Sequence, residues 1–290
     1  MSASGFQPFE AIAIVGLGLI GGSVARDVRR LGLARKILGY DNNEEYHKEI
    51  KSGKLADYLS DAPDKKLAEA DLVLLAVPVK AFKEVLPAIL LNISSTAILT
   101  DTGSVKSPLL NMMCAPEYEE IRFVGGHPIA GSEHFGPGAA QHNLFSGKRC
   151  ILIPGEKTDK DWIRVVRRLW ESLGAKVSEM DAESHDKMFA SVSHLPHLLA
   201  YACIQVIANT ETQEALGHSG AGLKDFSRIA SSSPQMWADI FLENQENLLP
   251  RVSAYIEVLK ALEDKIKNND KKKLVELLAL SKSARDHWMV

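Results

Sequence analysis

The stretch AIAIVGLGLIG at residues 11–21 decides the fold class of this 290-residue chain. Residues 11–15 are all apolar, which predicts a buried parallel β-strand. The residues that follow have the spacing G-x-G-x-x-G and open a helix: Gly16, Leu17, Gly18, Leu19, Ile20 and Gly21. The first glycine permits a tight turn, the second lets the backbone approach a pyrophosphate, and the third permits close packing of helix on strand. The stretch therefore predicts a dinucleotide-binding unit, with these cofactor contacts: Gly16, Gly18, Leu19, Ile20 and Gly21.

An acidic residue, Asp41, follows the next apolar run and lies 20 positions after Gly21. A carboxylate at that point can accept hydrogen bonds from the ribose hydroxyls of a dinucleotide. It would repel a 2′-phosphate, and its neighbours Asn42 and Asn43 carry no cation. We therefore expect NAD rather than NADP, with Asp41 among the cofactor-binding residues. The alternative is that three turn glycines and one surface aspartate match the pattern by chance.

Strand-sized apolar runs alternate with helical stretches in the first part of the chain, which favours a doubly wound α/β sheet. Besides residues 11–15 and 37–40, such runs lie at residues 72–77, 97–99, 123–124, 150–153 and 175–180. Beyond residue 181 only helical periodicity is found, at residues 182–192, 196–210, 233–267 and 271–283, with a loop at 217–222. We therefore predict a Rossmann-type doubly wound sheet over residues 1–180 and an all-helical C-terminal domain over residues 181–290.

The composition excludes several classes of protein. A formal net charge of −3 leaves no electrostatic footprint for nucleic acid or for an anionic membrane. The apolar runs are far shorter than a membrane span, and the N-terminus lacks the segments of a signal peptide. Three widely spaced cysteines give neither a disulfide framework nor the spacing of a metal site. We expect a cytoplasmic protein with no metal, nucleic-acid or membrane partner.

Ligands of open α/β sheets bind beyond the carboxyl ends of the strands. We therefore expect Val77, Pro78 and Asp101, which end or follow two of the apolar runs, to lie beside the cofactor. His127 follows another run and is the only histidine in these segments. An imidazole can accept a proton near neutral pH, as the oxidation of an alcohol requires. By residue type alone a histidine beside glycines is more often structural, but its placement at a strand end of a dinucleotide fold favours a functional role.

Two further side chains in these segments leave alternatives open. Ser104 can hydrogen-bond the histidine or a substrate hydroxyl, or it can cap the N-terminus of a helix, and its position favours neither. Lys106 can neutralise an acid, or it can be an ordinary solvated lysine.

Five segments carry a resemblance to a known family. They are Gly16-Leu17-Gly18-Leu19-Ile20-Gly21-Gly22-Ser23, Asp101-Thr102-Gly103-Ser104-Val105-Lys106, His127-Pro128-Ile129-Ala130-Gly131-Ser132-Glu133, Ser193-His194-Leu195-Pro196-His197 and Asp225-Phe226-Ser227-Arg228. In this order they resemble the prephenate/arogenate dehydrogenases of tyrosine biosynthesis, from about residue 11 to residue 240. Many dehydrogenases share the first segment, whereas the second and third are much more specific.

The resemblance implies an NAD-dependent oxidative decarboxylation of a small dicarboxylate. Prephenate would give 4-hydroxyphenylpyruvate, or arogenate would give tyrosine, and the residues do not distinguish the two substrates. His127 matches the family histidine that accepts the proton of the ring hydroxyl, and Ser104 matches the serine that orients this hydroxyl. Arg228 matches the arginine that binds a substrate carboxylate, which a guanidinium can hold with two parallel hydrogen bonds.

The resemblance also implies roles for four other residues. One of His194 and His197, with His197 favoured, reaches the substrate side chain. Glu133 lies at the entrance of the active site, as a gate. Trp237 lines the pocket, although a tryptophan of the core fits its position equally well.

The family's helical domain binds substrate and builds a dimer, and the apolar residues 254–262 are compatible with a homodimer or with an intramolecular core. Two other functions remain as alternatives. One is a two-domain dehydrogenase of the β-hydroxyacid type, which is disfavoured because residues 196–215 contain no lysine. The other is a non-catalytic NAD-binding redox sensor, which would not need His127, Ser104 and Arg228 together.

Overall fold

The computed structural model describes residues 7–212, 214 and 217–288. The outer ends of the two predicted domains, residues 1–6 and 289–290, lie outside the described residues. Within the described part of the chain, one sheet has the strand order β3-β2-β1-β4-β5-β6-β7-β8. The strands are β1 (Phe9–Val15), β2 (Ala34–Tyr40), β3 (Tyr58–Ser60), β4 (Leu72–Leu75), β5 (Ile98–Asp101), β6 (Arg122–Pro128), β7 (Arg149–Ile153) and β8 (Lys176–Glu179). Strands β1 to β6 are parallel, β7 is antiparallel to β6, and β8 is parallel to β7.

Helices cover both faces of this sheet and then form the C-terminal part of the chain. Those of the sheet domain are α1 (Leu19–Leu31), α2 (Glu44–Ser52), α3 (Phe82–Asn92), α4 (Ser107–Met113) and α5 (Lys160–Ser172). After β8 come α6 (Ala182–Phe189), a π-helical turn (Ala190–His194), α7 (Leu195–Thr210), α8 (Ala221–Ser227), α9 (Pro234–Glu243), α10 (Gln245–Lys267) and α11 (Lys271–Trp288). Short 3₁₀ turns lie at Lys65–Glu69, Val79–Ala81, Pro116–Tyr118, Pro137–Ala139 and Arg228–Ser231.

The side chains of β1 show that both faces of the sheet are covered. Successive side chains of a strand point to opposite faces, and every residue from Ala11 to Val15 is buried. Ile12 and Ile14 belong to one apolar cluster, whereas Ala13 and Val15 belong to the cluster on the other face. The prediction of a Rossmann-type sheet followed by a helical domain is therefore confirmed.

The structure differs from the sequence-based expectation at β6. The predicted strand ended at residue 124, but β6 continues to Pro128, so His127 lies within a strand rather than after it. The reason is that β7 runs antiparallel and pairs with the extension, with His127 opposite Ile151. Gly126 makes the crowding tolerable, because a Cβ there would lie 2.7 Å from the carbonyl oxygen of Asp101.

Two smaller differences concern elements that the sequence patterns missed. Strand β3 has no counterpart among the apolar runs, and α8 begins at Ala221, inside the predicted loop at residues 217–222. The helical stretch at residues 233–267 is interrupted at Asn244, where α9 ends and α10 begins.

One helical stretch, Ala182–Thr210, is long and apolar enough by length and composition alone to cross a membrane. It also contains the buried hydrogen-bonded pair of His185 and Asp186, and Phe189 packs against Ile151 and Ile153 of the sheet. These contacts make the stretch the element that joins the helical domain to the sheet.

Candidate active site

The glycine turn between β1 and α1 has the geometry that a pyrophosphate requires. Gly16 has φ +91°, and a Cβ on Gly21 would lie 1.9 Å from the carbonyl oxygen of Gly16, so both positions exclude larger residues. Gly18 differs, because a Cβ there would meet no heavy atom of the described chain within 4 Å. No side chain caps the first turn of α1. Its N–H groups therefore face open space and can bind an anion.

Asp41 lies at the carboxyl end of β2, next to the glycine turn. Its Oδ2 accepts a hydrogen bond from the backbone N–H of Leu17 at 2.8 Å, and its Oδ1 accepts one from the N–H of Asn43 at 3.1 Å. The carboxylate is thus held at the turn where a ribose adjoins the pyrophosphate. The turn and this carboxylate together fit NAD. The other predicted cofactor contacts, Leu19 and Ile20, form the first residues of α1.

Three more predicted cofactor contacts lie at the ends of β4 and β5. The side chain of Val77 borders the glycine turn, since its Cγ1 would be 2.9 Å from a Cβ on Gly16. Pro78 precedes the 3₁₀ turn at Val79–Ala81. Asp101 is fully buried, and both its oxygens accept hydrogen bonds from the protein itself.

The partner of Asp101 is Lys106, whose side chain is only 1% exposed. Its Nζ donates to Asp101 and, at 2.7 Å, to the carbonyl oxygen of Gly126. The alternative of a solvated Lys106 is therefore wrong, because this lysine neutralises a buried acid. The pair joins the end of β5 to β6 directly beside His127 and places a fixed positive charge there.

His127 is buried and bound through one ring nitrogen. Its Nδ1 lies 2.8 Å from Nε2 of His185, while its Nε2 makes no hydrogen bond to the part of the chain that is described. The ring also packs against Phe189, with 4.7 Å between the ring centroids. Burial first, and then the nearby His185, Lys106 and His194, hold the pKa of His127 well below 6.5. The imidazole is therefore neutral at physiological pH and can accept a proton at Nε2.

His185 and Asp186 form a second layer behind His127 that the sequence reasoning missed. The Nδ1 of His185 lies 2.8 Å from Oδ1 of Asp186, and both side chains are almost completely buried. Burial alone would raise the pKa of the Asp186 carboxyl, but hydrogen bonds from His185 and from the N–H groups of Ser107 and Lys106 outweigh burial and lower it. The carboxylate is therefore charged. The adjacent histidine and aspartate in an apolar helical stretch were the only signal.

Ser104 lies in the segment between β5 and α4, and its side chain makes no hydrogen bond to any described residue. The alternative that Ser104 caps a helix is wrong, because the first N–H groups of α4 are bound by Asp186 instead. Those of Lys106 and Ser107 donate to Oδ1 and Oδ2 of Asp186, at 2.9 and 2.8 Å. The hydroxyl of Ser104 is therefore left for another partner.

His194, His197 and Trp237 meet where the helical domain packs on the sheet domain. Trp237 is buried in a cluster with Val105 and Ile240, and its indole stacks on the ring of His197 with centroids 3.6 Å apart. The Nδ1 of His197 is bound to the carbonyl oxygen of Ser193 at 2.9 Å. Trp237 is thus part of a small core and at the same time orients His197.

His194 is completely buried, and burial lowers its pKa to about 4. Its Nδ1 pairs with Nδ2 of Asn244 at 3.0 Å, and the same amide donates to the backbone oxygen of Asp186. Its Nε2 has no hydrogen-bond partner among the described residues. His194 therefore belongs to the polar network behind His127, whereas Nε2 of His197, at the domain junction, makes no hydrogen bond within the described part of the chain.

Arg228 and Glu133 pair across the two domains. The Nη1 of Arg228 lies 3.3 Å from Oε2 of Glu133, and the guanidinium is 61% exposed. Because Arg228 already binds the carboxylate of Glu133, its guanidinium is placed where it can bind an anion. An exposed pair of this kind is weak and can open without a large cost.

Comparison with known proteins identifies the family. Residues 24–179 match the model of the prephenate dehydrogenase nucleotide-binding domain, and residues 181–280 match that of the prephenate dehydrogenase dimerization domain. A cyclohexadienyl dehydrogenase of Zymomonas mobilis is 36% identical over 280 residues, covering 96% of this chain and 95% of that protein.

Solved structures agree with this result. Prephenate dehydrogenase from A. aeolicus, in complex with hydroxyphenyl propionate and NAD+, has a TM-score of 0.86 and 39% identity, covering 97% of this chain and 99% of that chain. Synechocystis arogenate dehydrogenase has a TM-score of 0.75 and 30% identity, covering 96% and 99%. These likenesses exclude the β-hydroxyacid dehydrogenase and the redox sensor, and they confirm NAD as the cofactor. The chain belongs to the prephenate dehydrogenase family and is an NAD-dependent dehydrogenase.

Proposed function

We propose that this enzyme oxidatively decarboxylates prephenate or its amino counterpart arogenate, with His127 as the base. One observation carries the proposal. A buried, neutral imidazole lies at the carboxyl edge of an NAD-binding sheet, with one ring nitrogen fixed by His185 and the other without a hydrogen bond to any described residue. An alcohol oxidation at this edge needs such a nitrogen, because hydride leaves a carbon more readily when its hydroxyl is being deprotonated.

His127 and Ser104 have separate roles at the ring hydroxyl of the substrate. Nε2 of His127 accepts the proton of the ring hydroxyl, and the hydroxyl of Ser104 orients the same oxygen. Bound NAD+ supplies the acceptor for the hydride of the carbon that carries this oxygen. The bond from the ring to its carboxylate then breaks, carbon dioxide leaves, and the electron pair makes the ring aromatic. The ring oxygen regains a proton from His127, which restores the neutral base.

Substrate binding needs fixed cations because the substrate carries two carboxylates. In this proposal Arg228 binds one of the two substrate carboxylates. It already holds the carboxylate of Glu133 at 3.3 Å. In this proposal Glu133 acts as a gate at the entrance, because it must release Arg228 before the substrate carboxylate can replace it. His197, whose ring is held in place by Trp237, contacts the substrate side chain in this proposal.

We also propose that the enzyme is a cytoplasmic homodimer formed through the helical domain. The apolar residues of α10 do not form an intramolecular core, since Tyr255, Ile256, Val258 and Leu259 are between 36% and 58% exposed. Exposed apolar patches of this kind mark interaction surfaces. The match to a dimerization domain over residues 181–280 supports the same assignment.

The test is a spectrophotometric assay for NADH with prephenate and, separately, with arogenate. We expect turnover of at least one substrate, and a loss of about 10²- to 10⁴-fold in kcat for His127→Asn, the range that a general base contributes. His142→Asn, at a histidine that is 50% exposed, is the matched control and should keep normal turnover. Undiminished turnover in His127→Asn, or no NADH with either substrate, would refute the proposal.

A further inference from the structure

We propose that His185 and Asp186 are positioning residues that fix the tautomer of His127, leaving its lone pair on Nε2. The inference rests on the function proposed above, because it concerns the base of that reaction. Neither residue is assigned to substrate or cofactor, and His185 is completely buried behind His127. His185 therefore acts on the reaction through His127, while Asp186 orients His185 and also binds the first N–H groups of α4.

The chain of hydrogen bonds has only one consistent direction. Asp186 is a carboxylate and can only accept, so Nδ1 of His185 carries the proton in their 2.8 Å contact. A neutral His185 then has its lone pair on Nε2. That nitrogen must accept from Nδ1 of His127, 2.8 Å away, so the proton of His127 is on Nδ1. The lone pair of His127 is consequently on Nε2, the nitrogen left for the substrate.

Asp186 is anchored so that it cannot reverse this direction. Its two oxygens accept hydrogen bonds from the backbone N–H groups of Lys106 and Ser107, which are donors only. Its own backbone oxygen accepts from Nδ2 of Asn244. The start of α4 therefore holds the carboxylate in its accepting role, and the junction of α9 and α10 holds the backbone of Asp186.

The aromatic packing keeps water away from the same chain. Phe189 stacks on His185 with 4.4 Å between ring centroids and also contacts the ring of His127. Water cannot easily supply an alternative partner to either Nδ1 atom, so the hydrogen-bond direction is set by Asp186. A Ser-His-Asp triad uses its carboxylate for the same purpose, to hold an imidazole in the productive tautomer.

Asp186→Asn is the sharpest variant because an amide nitrogen at the position of Oδ1 reverses the chain. Oδ1 accepts from the N–H of Lys106 as well as from His185, so this nitrogen donates to Nδ1 of His185 while the N–H of Lys106 loses its acceptor. His185 would then carry its proton on Nε2 and donate to Nδ1 of His127, which would place the proton of His127 on Nε2. We expect kcat to fall by about 10²-fold or more, with little change in KM, since general-base catalysis is lost while the binding groups remain.

Two variants of His185 separate the positioning role from a purely structural one. His185→Gln keeps an acceptor for His127 and a donor for Asp186, and it should retain kcat within about tenfold of the wild type. His185→Leu removes both, and we expect a fall of about 10- to 100-fold in kcat. His142→Leu is the matched control at an exposed histidine. Thermal unfolding of each variant shows whether the protein remains folded.

The tautomer itself can be read by ¹⁵N NMR of histidine-labelled protein, with His127→Asn assigning the resonance. We expect a proton on Nδ1 of His127 in the wild type and in His185→Gln, and a proton on Nε2 in Asp186→Asn. This measurement needs no turnover. A purely structural role would not produce this reversal.

The outcomes distinguish this inference from the proposed function. A wild type without turnover would overturn the proposed function and this inference with it. Turnover in the wild type, loss in His127→Asn and normal kcat in both Asp186→Asn and His185→Leu would overturn this inference alone. A wild-type His127 with its proton on Nε2 would also overturn it.

Discussion

At the scale of single residues, the proposed function depends on keeping one histidine uncharged. Burial removes water from His127, and the positive charge of Lys106 lies close by, so the protonated form is disfavoured twice. The cost of burying Lys106 is offset by its pairing with Asp101. The same ion pair therefore joins the ends of β5 and β6, and its lysine lowers the pKa of the proposed base, His127.

This environment predicts the pH dependence of the enzyme. Only the neutral form of His127 can accept a proton, and its pKa is held below 6.5 by burial and by the facing groups His185, Lys106 and His194. Activity should therefore be level through neutral pH and fall only well below pH 6.5. The measurement is kcat/KM as a function of pH, which reports the free enzyme. Half of the activity lost at pH 6.5 or above would contradict the assignment.

Sequence reasoning found the residues whose neighbours in the chain form a motif. The glycines, Asp41 and His127 follow from spacing and strand ends, and the roles of Ser104 and Arg228 came from family resemblance. His185 was missed because its contact with His127 joins residues 58 positions apart and arises only when α6 packs against β6. No spacing rule encodes such a contact.

At the scale of elements, the glycine turn separates folding from cofactor binding. Gly21 is needed for the packing of α1 on β1, whereas Gly18 borders only open space. The two glycines therefore have different physical roles although they belong to one motif.

Alanine at each glycine tests this division. Gly18→Ala should leave the free energy of unfolding nearly unchanged but raise KM for NAD+, because the methyl group occupies the space of the pyrophosphate. Gly21→Ala should lower the free energy of unfolding by about 1–3 kcal/mol, the typical cost of overpacking. Denaturant unfolding and NAD+ titration measure the two effects. Equal losses of stability in both variants would show that the turn has no such division.

Element types were predictable from periodicity, but strand direction was not. Short apolar runs located β1, β2, β4, β5 and β7, because buried strands are apolar along their whole length. The same pattern does not distinguish parallel from antiparallel pairing, so the direction of β7 and the extension of β6 became visible only in the structure.

At the scale of the whole molecule, the residues of the proposed active site come from both sides of the domain boundary. His127 belongs to the sheet and its support belongs to α6, while Glu133 and Arg228 pair between the domains. Lys80 and Asp239 form another such pair, at 3.1 Å. The helical domain therefore contributes residues to the proposed site, and it also carries the surface proposed for dimerisation.

The proposed dimer can be tested by placing a charge on α10. Leu259 is 48% exposed in the single chain, and Leu259→Glu should convert a dimer to monomers because a buried unpaired carboxylate is costly. Sedimentation velocity measures the mass of each species. Arg164→Glu, at an exposed arginine of α5, is the control and should remain dimeric. A monomeric wild type, or an unchanged dimer in Leu259→Glu, would place the interface elsewhere.

A crystal structure of the enzyme with NAD+ and hydroxyphenyl propionate tests the central claim most directly. We predict that the phenolic oxygen lies within hydrogen-bonding distance of Nε2 of His127, with Nδ1 still bound to His185 and the nicotinamide beside the same ring carbon. A phenolic oxygen bound by another residue, with Nε2 of His127 directed away from the nicotinamide, would contradict the account.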